Sequence, residues 1–189
     1  MKNNIIDYIQ VFEKIVPDLL CDKIINEYEK TDEWKKGTVG DYNLNSELRN
    51  CDSIFISKSE VIDNNPEKRK QIDDEIFDIV SKCLQEYLKL NSLYGSNIQS
   101  DSGYSLLRYK KNQCIGQHID SSVRNSRELS CSINLNDDYT GGKFCFFNKQ
   151  KKYKLNKGDV IMFPSNFMYP HEILPIKSGT RYSIITWIS

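Results

Sequence analysis

The sequence predicts an α+β fold in which N-terminal helices support a jelly roll or small barrel of antiparallel strands. Helix-type periodicity is confined to the first half of the chain, whereas short β-prone runs separated by turn residues fill the second half. A length of 189 residues suits one domain with a substantial core. We therefore expect a single domain, 1–189, with a helical support region and lid loop at 1–95 and the jelly-roll core at 96–189.

The first half of the chain predicts two helices and two strands. A strand is expected in YIQVFEKIVP, and a helix begins at Asp18. The polar stretch from Trp34 to Asn50 has no period and predicts a long loop, after which CDSIFIS predicts a short strand. The clearest helix is expected to be capped by Asn65 and to begin at Pro66, because apolar residues then recur at spacings of three and four.

The second half of the chain predicts about eight short strands, a number typical of a jelly roll. Turn signals such as KKN, DDYTGG, NKG, PSN and KSG separate them. The expected strands lie in GYSLLRYK, CIGQHID, LSCSINLN, GKFCFF, KKYKL, DVIMFP, the stretch around PHEIL, and TRYSIITWI.

The composition argues against several classes of partner. The formal net charge is zero, so no overall basic field attracts nucleic acid. No apolar run approaches the roughly 20 residues of a membrane span, and the N-terminus has no apolar signal-peptide core. The six cysteines show no metal-binding spacing, so we interpret them as free thiols of a cytoplasmic protein.

The chain has two histidines, and both lie in segments that suggest a metal site. In a strand, His118 and Asp120 point to the same face, and together they supply two of the three ligands of a 2-His-1-carboxylate triad. Such a pair alone is weak evidence, because a solvated His–Asp pair is common. His171 begins another predicted strand and completes the set, and Arg181 follows it by ten residues, where its guanidinium is suited to a carboxylate.

With these residues in place, the segment Tyr109–Trp187 resembles the catalytic core of the iron(II)- and 2-oxoglutarate-dependent dioxygenases, in the prolyl-4-hydroxylase-like branch. The resemblance rests on the two histidines and on three sequence segments, YTGGKFCFF, NKGDVIMFPS and HEILPIKSGTRYSIITWI. The resemblance implies a double-stranded β-helix (jelly roll) and an iron(II) site. The implied iron ligands are His118, Asp120 and His171.

The resemblance also implies cofactors and a reaction. Arg181 would pair with the far carboxylate of 2-oxoglutarate, O2 would be the oxidant and ascorbate the reductant. The implied reaction hydroxylates a peptidyl residue, proline by preference, and releases succinate and CO2. The intact carboxylate of Asp120 favours hydroxylation over the chemistry of the related halogenases, which lack it.

Other family positions carry over residue by residue. Tyr109 matches a tyrosine near 2-oxoglutarate, Ser183 shares the face of Arg181, and Trp187 matches a tryptophan that lines the pocket. Three positions depart from the prolyl hydroxylase pattern, since Asn112 stands where a glycine is frequent, and Ile115 and Asn134 stand where tyrosines occur. We therefore assign Trp187, Ile115 and Asn134 to the substrate pocket and treat the identity of the substrate as open.

Two alternatives keep the residues but change the function. The same chemistry on a free amino acid or other small molecule is the first, and segments 35–50 and 121–130 are the candidate lids in either case. A non-catalytic sugar- or peptide-binding jelly roll is the second. A nucleic-acid substrate is disfavoured, because related demethylases carry a second arginine at the position of Trp187.

Overall fold

The computed structural model describes residues 4–37, 49–57, 66–90 and 98–189. Two α-helices, α1 (Asp18–Tyr28) and α2 (Pro66–Leu88), lie in the first half, after a short 3-10 turn at Ile5–Tyr8. The strands are β1 (Gln10–Phe12), β2 (Lys35–Lys36), β3 (Arg49–Asn50), β4 (Asp52–Phe55), β5 (Ser105–Tyr109), β6 (Cys114–His118), β7 (Leu129–Asn134), β8 (Thr140–Gly141), β9 (Phe144–Phe146), β10 (Lys151–Tyr153), β11 (Val160–Pro164), β12 (His171–Ile173), β13 (Ile176–Ser178) and β14 (Arg181–Ile188).

The strands form two antiparallel sheets and a small ribbon. The larger sheet has the order β1-β11-β7-β14-β5-β4-β2, the smaller one has β10-β9-β12-β6-β3, and β13 pairs with β8. The order mixes strands that are distant in sequence, as a jelly roll requires. The expected α+β double-stranded β-helix with N-terminal supporting helices is therefore confirmed.

Two hydrophobic cores follow from the alternation of side chains along the strands of the larger sheet. In β14, Tyr182 and Ile184 pack with residues of α1 and α2 on one face. Ile161 and Phe163 of β11 pack instead with side chains of the smaller sheet, such as Phe146. The helices therefore cover one face of the larger sheet. The other face lines the space between the two sheets.

The helices agree with their sequence signals. α1 begins at the expected Asp18, and its buried positions include Leu20, Ile24 and Tyr28. α2 begins at Pro66 and buries a stripe that runs from Ile72 to Tyr87. The expected cap at residue 65 and the expected boundary at 95/96 lie outside the described residues.

The expectation of one long loop from Trp34 to Asn50 is wrong at both ends. β2 pairs with β4, and β3 pairs with β6, so short strands attach these ends to the two sheets. The middle of this predicted loop, 38–48, lies outside the described residues.

All the strands expected in the second half are present, and two further short ones join them. β8 and β13 pair across two stretches that the sequence marks as turns, DDYTGG and KSG. Gly141 adopts a φ of +84°, and a Cβ there would lie 2.3 Å from the carbonyl oxygen of Pro175. Glycine is therefore required here so that the two backbones can approach closely, and it does not interrupt the strand pairing.

The six cysteines are all free, as expected, and five of them are buried. Among the described residues, no helix has the length and apolar character needed to cross a membrane.

Candidate active site

His118, Asp120 and His171 lie together at the smaller sheet. One ligand atom from each falls within 4.8 Å of the other two. The Nε2 atom of His118 is 3.4 Å from Oδ1 of Asp120, and the Nε2 atom of His171 is 3.4 Å from Oδ2. Each carboxylate oxygen therefore faces one imidazole, and the three side chains surround a common point.

A β-bulge in β6 aims His118 into this cluster. His171 pairs with His118, and Ile173 pairs with Ile115, so Gly116 and Gln117 stand opposite Glu172 alone. One extra residue reverses the alternation of a strand. His118 therefore points to the same side as the buried Ile115, whereas Gln117 is exposed.

The expectation that His118 and Asp120 point to the same face of one strand is wrong, because β6 ends at His118. The backbone N–H groups of Asp120 and Ser121 both donate to the carbonyl oxygen of Ser165, at 3.2 Å and 3.0 Å. The Oγ of Ser130 donates to Oδ2 of Asp120 at 2.6 Å. Neighbouring segments, rather than strand geometry, thus direct the carboxylate towards the histidines.

Hydrogen bonds to the backbone select the tautomer of both histidines. Nδ1 of His118 lies 2.9 Å from the carbonyl oxygen of Gly116, and Nδ1 of His171 lies 3.1 Å from that of Tyr169. A carbonyl oxygen only accepts, so each Nδ1 carries the proton and each Nε2 keeps its lone pair. Both Nε2 atoms face Asp120 and are available to a metal.

The electrostatics of the cluster favour a cation. Burial lowers the pKa of His171 to about 4, against the opposing effect of Asp120. Burial by itself would raise the pKa of Asp120, but the two histidines and the hydrogen bond from Ser130 outweigh it and hold this pKa below its usual range. Near neutral pH the cluster is therefore a neutral buried imidazole beside an ionised carboxylate, as divalent metals require.

Arg181 is buried in the interior with neutral partners only. Its Nε donates to Oδ1 of Asn134 at 3.1 Å, and one terminal nitrogen donates to Oγ of Ser183 at 3.2 Å. Arg181 is 1% exposed, and among the described residues no carboxylate forms an ion pair with it. Because buried charges are normally paired, this guanidinium suits an anionic ligand.

Asn134 supports Arg181 and is itself held rigidly. Its Nδ2 donates to the backbone carbonyl oxygens of Asn136 and Leu155, and its Oδ1 also accepts from the hydroxyl of Tyr139 at 3.2 Å. This amide is fully buried. The position that we assigned to the substrate pocket therefore contacts Arg181 directly.

The other residues that the sequence assigned to the site are Tyr109, Trp187 and Ile115. Tyr109 is buried in register with Arg181, whose guanidinium carbon lies 5.2 Å from the tyrosine ring centroid. Burial raises the pKa of Tyr109, so its hydroxyl stays protonated. The indole ring of Trp187 lies under the guanidinium of Arg127, 3.7 Å from its central carbon. Ile115 packs in the core between the sheets.

Sequence reasoning missed Ser130, Ser165, Arg127 and Tyr139. Arg127 donates to the carbonyl oxygen of Asp120 at 3.0 Å and so attaches the 121–127 segment to the cluster. The end of the expected lid at 121–130 is wrong, because residues 129 and 130 already belong to β7. A usable signal existed, since LSCSIN alternates polar and apolar residues and so predicts a polar face towards the barrel interior.

The donor set fits iron(II). Two imidazoles with free Nε2 atoms and one carboxylate are the ligands of a 2-His-1-carboxylate site, which leaves positions open for other ligands. The unpaired charge of the buried Arg181 separately fits the distal carboxylate of a dicarboxylic acid.

Comparisons with known proteins agree with this chemistry. Residues 104–189 match the family model of the 2OG-Fe(II) oxygenase superfamily. A PKHD-type hydroxylase of Prochlorococcus marinus (strain AS9601) is 31% identical over 121 residues, which cover 58% of this chain and 54% of the relative. The chain thus spans about half the length of the curated relatives it matches.

Solved structures share the fold. A prolyl hydroxylase from Trichoplax adhaerens, in complex with a hypoxia inducible factor peptide fragment, has a TM-score of 0.76 at 17% identity and covers 96% of this chain and 83% of its own. The viral collagen prolyl hydroxylase of Paramecium Bursaria Chlorella virus-1, in its 2OG complex, has a TM-score of 0.68 at 21% identity and covers 96% and 95%. Residues 104–189, which match the 2OG-Fe(II) oxygenase superfamily, include both histidines, Asp120 and Arg181, and the chain has the fold of the prolyl hydroxylases.

Proposed function

We propose that this chain is an iron(II)- and 2-oxoglutarate-dependent dioxygenase that hydroxylates a peptidyl proline and releases succinate and CO2. One observation carries the proposal. A complete two-histidine, one-carboxylate cluster shares a jelly roll with a buried arginine that has no carboxylate partner among the described residues. The first group suits the metal, and the second suits the dicarboxylic cosubstrate.

The residues take the following roles. His118, Asp120 and His171 would hold iron(II), and Arg181 would bind the distal carboxylate of 2-oxoglutarate. The bound metal and cosubstrate supply the oxidising chemistry, with O2 as oxidant and ascorbate as reductant. Asn134 and Ser183 orient the guanidinium, while Tyr109 covers it with an uncharged ring.

Burial around His171 serves the same reaction by excluding water. Phe144 stacks on this imidazole with ring centroids 5.4 Å apart, and Phe163 packs edge-on at 4.8 Å. These rings hold the imidazole in one orientation and keep solvent from its inner side. His118 has a side-chain exposure of 23%, so the opening for substrate lies on its side of the cluster.

A peptide or protein is the substrate class that the surface favours. Ile119, Val123, Phe167 and Met168 are exposed apolar side chains, each within three residues of Asp120 or Ser165. The hydrogen bonds from Asp120 and Ser121 to Ser165 bring the 119–123 and 165–168 segments together. Contiguous exposed apolar groups indicate an interaction surface. Trp187 and Arg127 would border the target residue, and the prolyl hydroxylase names of the similar proteins support proline.

The wider assignments are part of the same proposal. We infer that 1–189 acts as one oxygenase domain with 96–189 as its catalytic core, that 121–127 acts as a lid, and that the protein works in the cytoplasm. Residues 38–48, the middle of the other expected lid, lie outside the described part of the chain. The zero net charge supports a substrate other than nucleic acid.

A coupled assay tests the function. Purified protein with iron(II), 2-oxoglutarate and ascorbate is incubated with proline-containing peptides or with free amino acids, and succinate and a mass gain of one oxygen are measured. We expect both products with peptides, and neither with His118→Ala. Gln117→Ala is the matched control, because Gln117 is exposed beside His118. Oxygen gain only on free amino acids would replace the peptide substrate by a small molecule, and equal turnover by His118→Ala would refute the metal site.

A further inference from the structure

Three side chains form a directed chain of hydrogen bonds that ends on Asp120. The Oγ of Ser130 donates to Oδ2 of Asp120 at 2.6 Å, and the Oγ atoms of Ser130 and Ser165 are 2.7 Å apart. A serine hydroxyl has one hydrogen to donate. Since Ser130 gives its hydrogen to Asp120, Ser165 donates to Ser130, and each bond strengthens the next.

This chain of hydrogen bonds is buried and rigidly anchored. Ser130 is 3% exposed and Ser165 is 1% exposed. Ser130 lies within β7, where it pairs with Phe163 of β11 and Trp187 of β14. The backbone N–H of Ser165 donates to the carbonyl oxygen of Glu128 at 3.0 Å, and its own carbonyl oxygen accepts from Asp120 and Ser121. These contacts fix the backbone of both serines, and a hydroxyl that rotated away would lose its hydrogen bonds in a buried position.

The two oxygens of Asp120 would otherwise be equivalent. Oδ1 is 3.4 Å from Nε2 of His118, and Oδ2 is 3.4 Å from Nε2 of His171. A carboxylate with both oxygens turned towards a metal position can bind through one oxygen or through both. The hydrogen bond from Ser130 to Oδ2 is the contact that distinguishes them.

We propose that Ser130 and Ser165 are positioning residues that occupy one oxygen of Asp120, so that this carboxylate binds the metal through a single oxygen. The inference rests on the proposed function and adds a role for two residues outside the metal-binding set. Three protein atoms then bind the metal, and three positions stay open for a chelating keto acid and O2. A carboxylate that bound through both oxygens would take one of these positions.

If Ser130 had only a structural role, its loss would affect metal and 2-oxoglutarate binding no more than the loss of Ser132. Ser132 therefore serves as the comparison. Ser132 lies two residues along β7 on the same face and is also 3% exposed. Substitution of either residue by alanine removes a hydroxyl from a buried position on the same face of β7. Only removal of the Ser130 hydroxyl frees an oxygen of Asp120.

The test uses Mn(II)-loaded full-length protein and needs no turnover. Water-proton relaxation reports the number of waters bound to Mn(II), and titration gives the affinity for 2-oxoglutarate. For Ser130→Ala we expect a loss of about one third of the bound waters, since one of three open positions is taken. We also expect 2-oxoglutarate binding to weaken about tenfold, the usual cost of losing a partner in the outer shell of a metal site.

The other variants complete the test. Ser130→Thr keeps the hydroxyl and should restore both values, and Ser132→Ala should match the unaltered protein. Ser165→Ala should shift both values in the same direction but less, because Ser130 keeps its bond to Asp120. Melting temperatures of the metal-free variants show whether each one folds, and Ser165→Ala decides the matter if Ser130→Ala does not.

The results that would overturn the inference are equally specific. Equal water counts and 2-oxoglutarate affinities for Ser130→Ala and Ser132→Ala would refute it, and so would a failure of Ser130→Thr to restore them in a folded protein. If the unaltered protein binds no Mn(II), the proposed function itself fails. If it binds Mn(II) and the two alanine variants agree, only the role of Ser130 and Ser165 fails.

Discussion

His118 and His171 lie directly opposite each other in adjacent antiparallel strands, with ring centroids 4.3 Å apart. The bulge at Gly116 and Gln117 creates this pairing, because it turns His118 to the inner side of its strand. Both imidazoles direct their Nε2 atoms towards the carboxylate of Asp120, so the metal site needs all three side chains together.

Replacement of His171 by alanine should abolish tight metal binding. It removes a nitrogen ligand and leaves a cavity among Phe144, Phe146 and Phe163. We expect the dissociation constant for iron(II) or Mn(II) to rise at least about a hundredfold, beyond the effect of losing an outer partner. Titration calorimetry on metal-free protein measures it. Glu172→Ala, in the same strand, is the control, and metal binding by His171→Ala equal to that of the control would contradict the site.

Replacement of Asn134 by aspartate should weaken binding of 2-oxoglutarate, and it should also lower stability, because the amide nitrogen that donates to the carbonyl oxygens of Asn136 and Leu155 is lost. The new carboxylate would lie against the guanidinium of Arg181, where the amide oxygen now accepts at 3.1 Å. An internal ion pair then competes with the distal carboxylate of the cosubstrate. We expect at least a tenfold weaker affinity for 2-oxoglutarate on Mn(II)-loaded protein, with the Mn(II) affinity unchanged. An unaltered 2-oxoglutarate affinity would show that Arg181 does not bind this acid.

Replacement of Asp52 by asparagine should destabilise the fold in a pH-dependent manner. Asp52 lies opposite Arg108 in the β4–β5 pair, at 3.0 Å, and Lys36 lies 2.8 Å away. The pKa of Asp52 is lowered overall. Burial alone would raise this pKa, but the hydrogen bonds and charges of Lys36 and Arg108 outweigh the effect of burial. Loss of these charged hydrogen bonds should cost about 1–3 kcal/mol of unfolding free energy at pH 7.

The pH dependence of that cost has a definite sign. A lowered carboxyl pKa contributes stability above the unfolded pKa, about 3.9 for aspartate, and loses it as the pH falls through the folded pKa. The difference between Asp52→Asn and the unaltered protein should therefore shrink in acid. Urea unfolding at several pH values measures it. Asp74→Asn, from an exposed pair with Lys70, is the control with little effect, and a difference that grows in acid would contradict the assignment.

Replacement of Gly141 by alanine should destabilise the β8–β13 ribbon. The new Cβ would lie 2.3 Å from the carbonyl oxygen of Pro175 and 2.8 Å from the backbone nitrogen of Lys177, at a positive φ. Strain of this kind costs about 1–3 kcal/mol. Thermal unfolding measures the loss, and Thr140→Ala, a change at an exposed neighbour, should have much less effect. Equal melting temperatures for the two variants would show that the ribbon tolerates a side chain.

The sequence predicted the fold well where the signals are local. Helical periodicity and a proline at the first turn located α2, and turn residues at short intervals located the strands of the jelly roll. The short strands at 35–36, 49–50, 140–141 and 176–178 were missed, because most of their residues are polar or turn-forming and only distant partners make them strands.

The amino-acid sequence alone indicates which residues are available for the chemistry. It contains two histidines, and their spacing to a carboxylate and an arginine indicated a metal and an acid as ligands. How these residues are held depends on the three-dimensional fold. The bulge before His118, the serine chain on Asp120 and the amide beside Arg181 all depend on contacts between strands that are far apart in the sequence. Such contacts form through strand register and burial, and no local pattern encodes them.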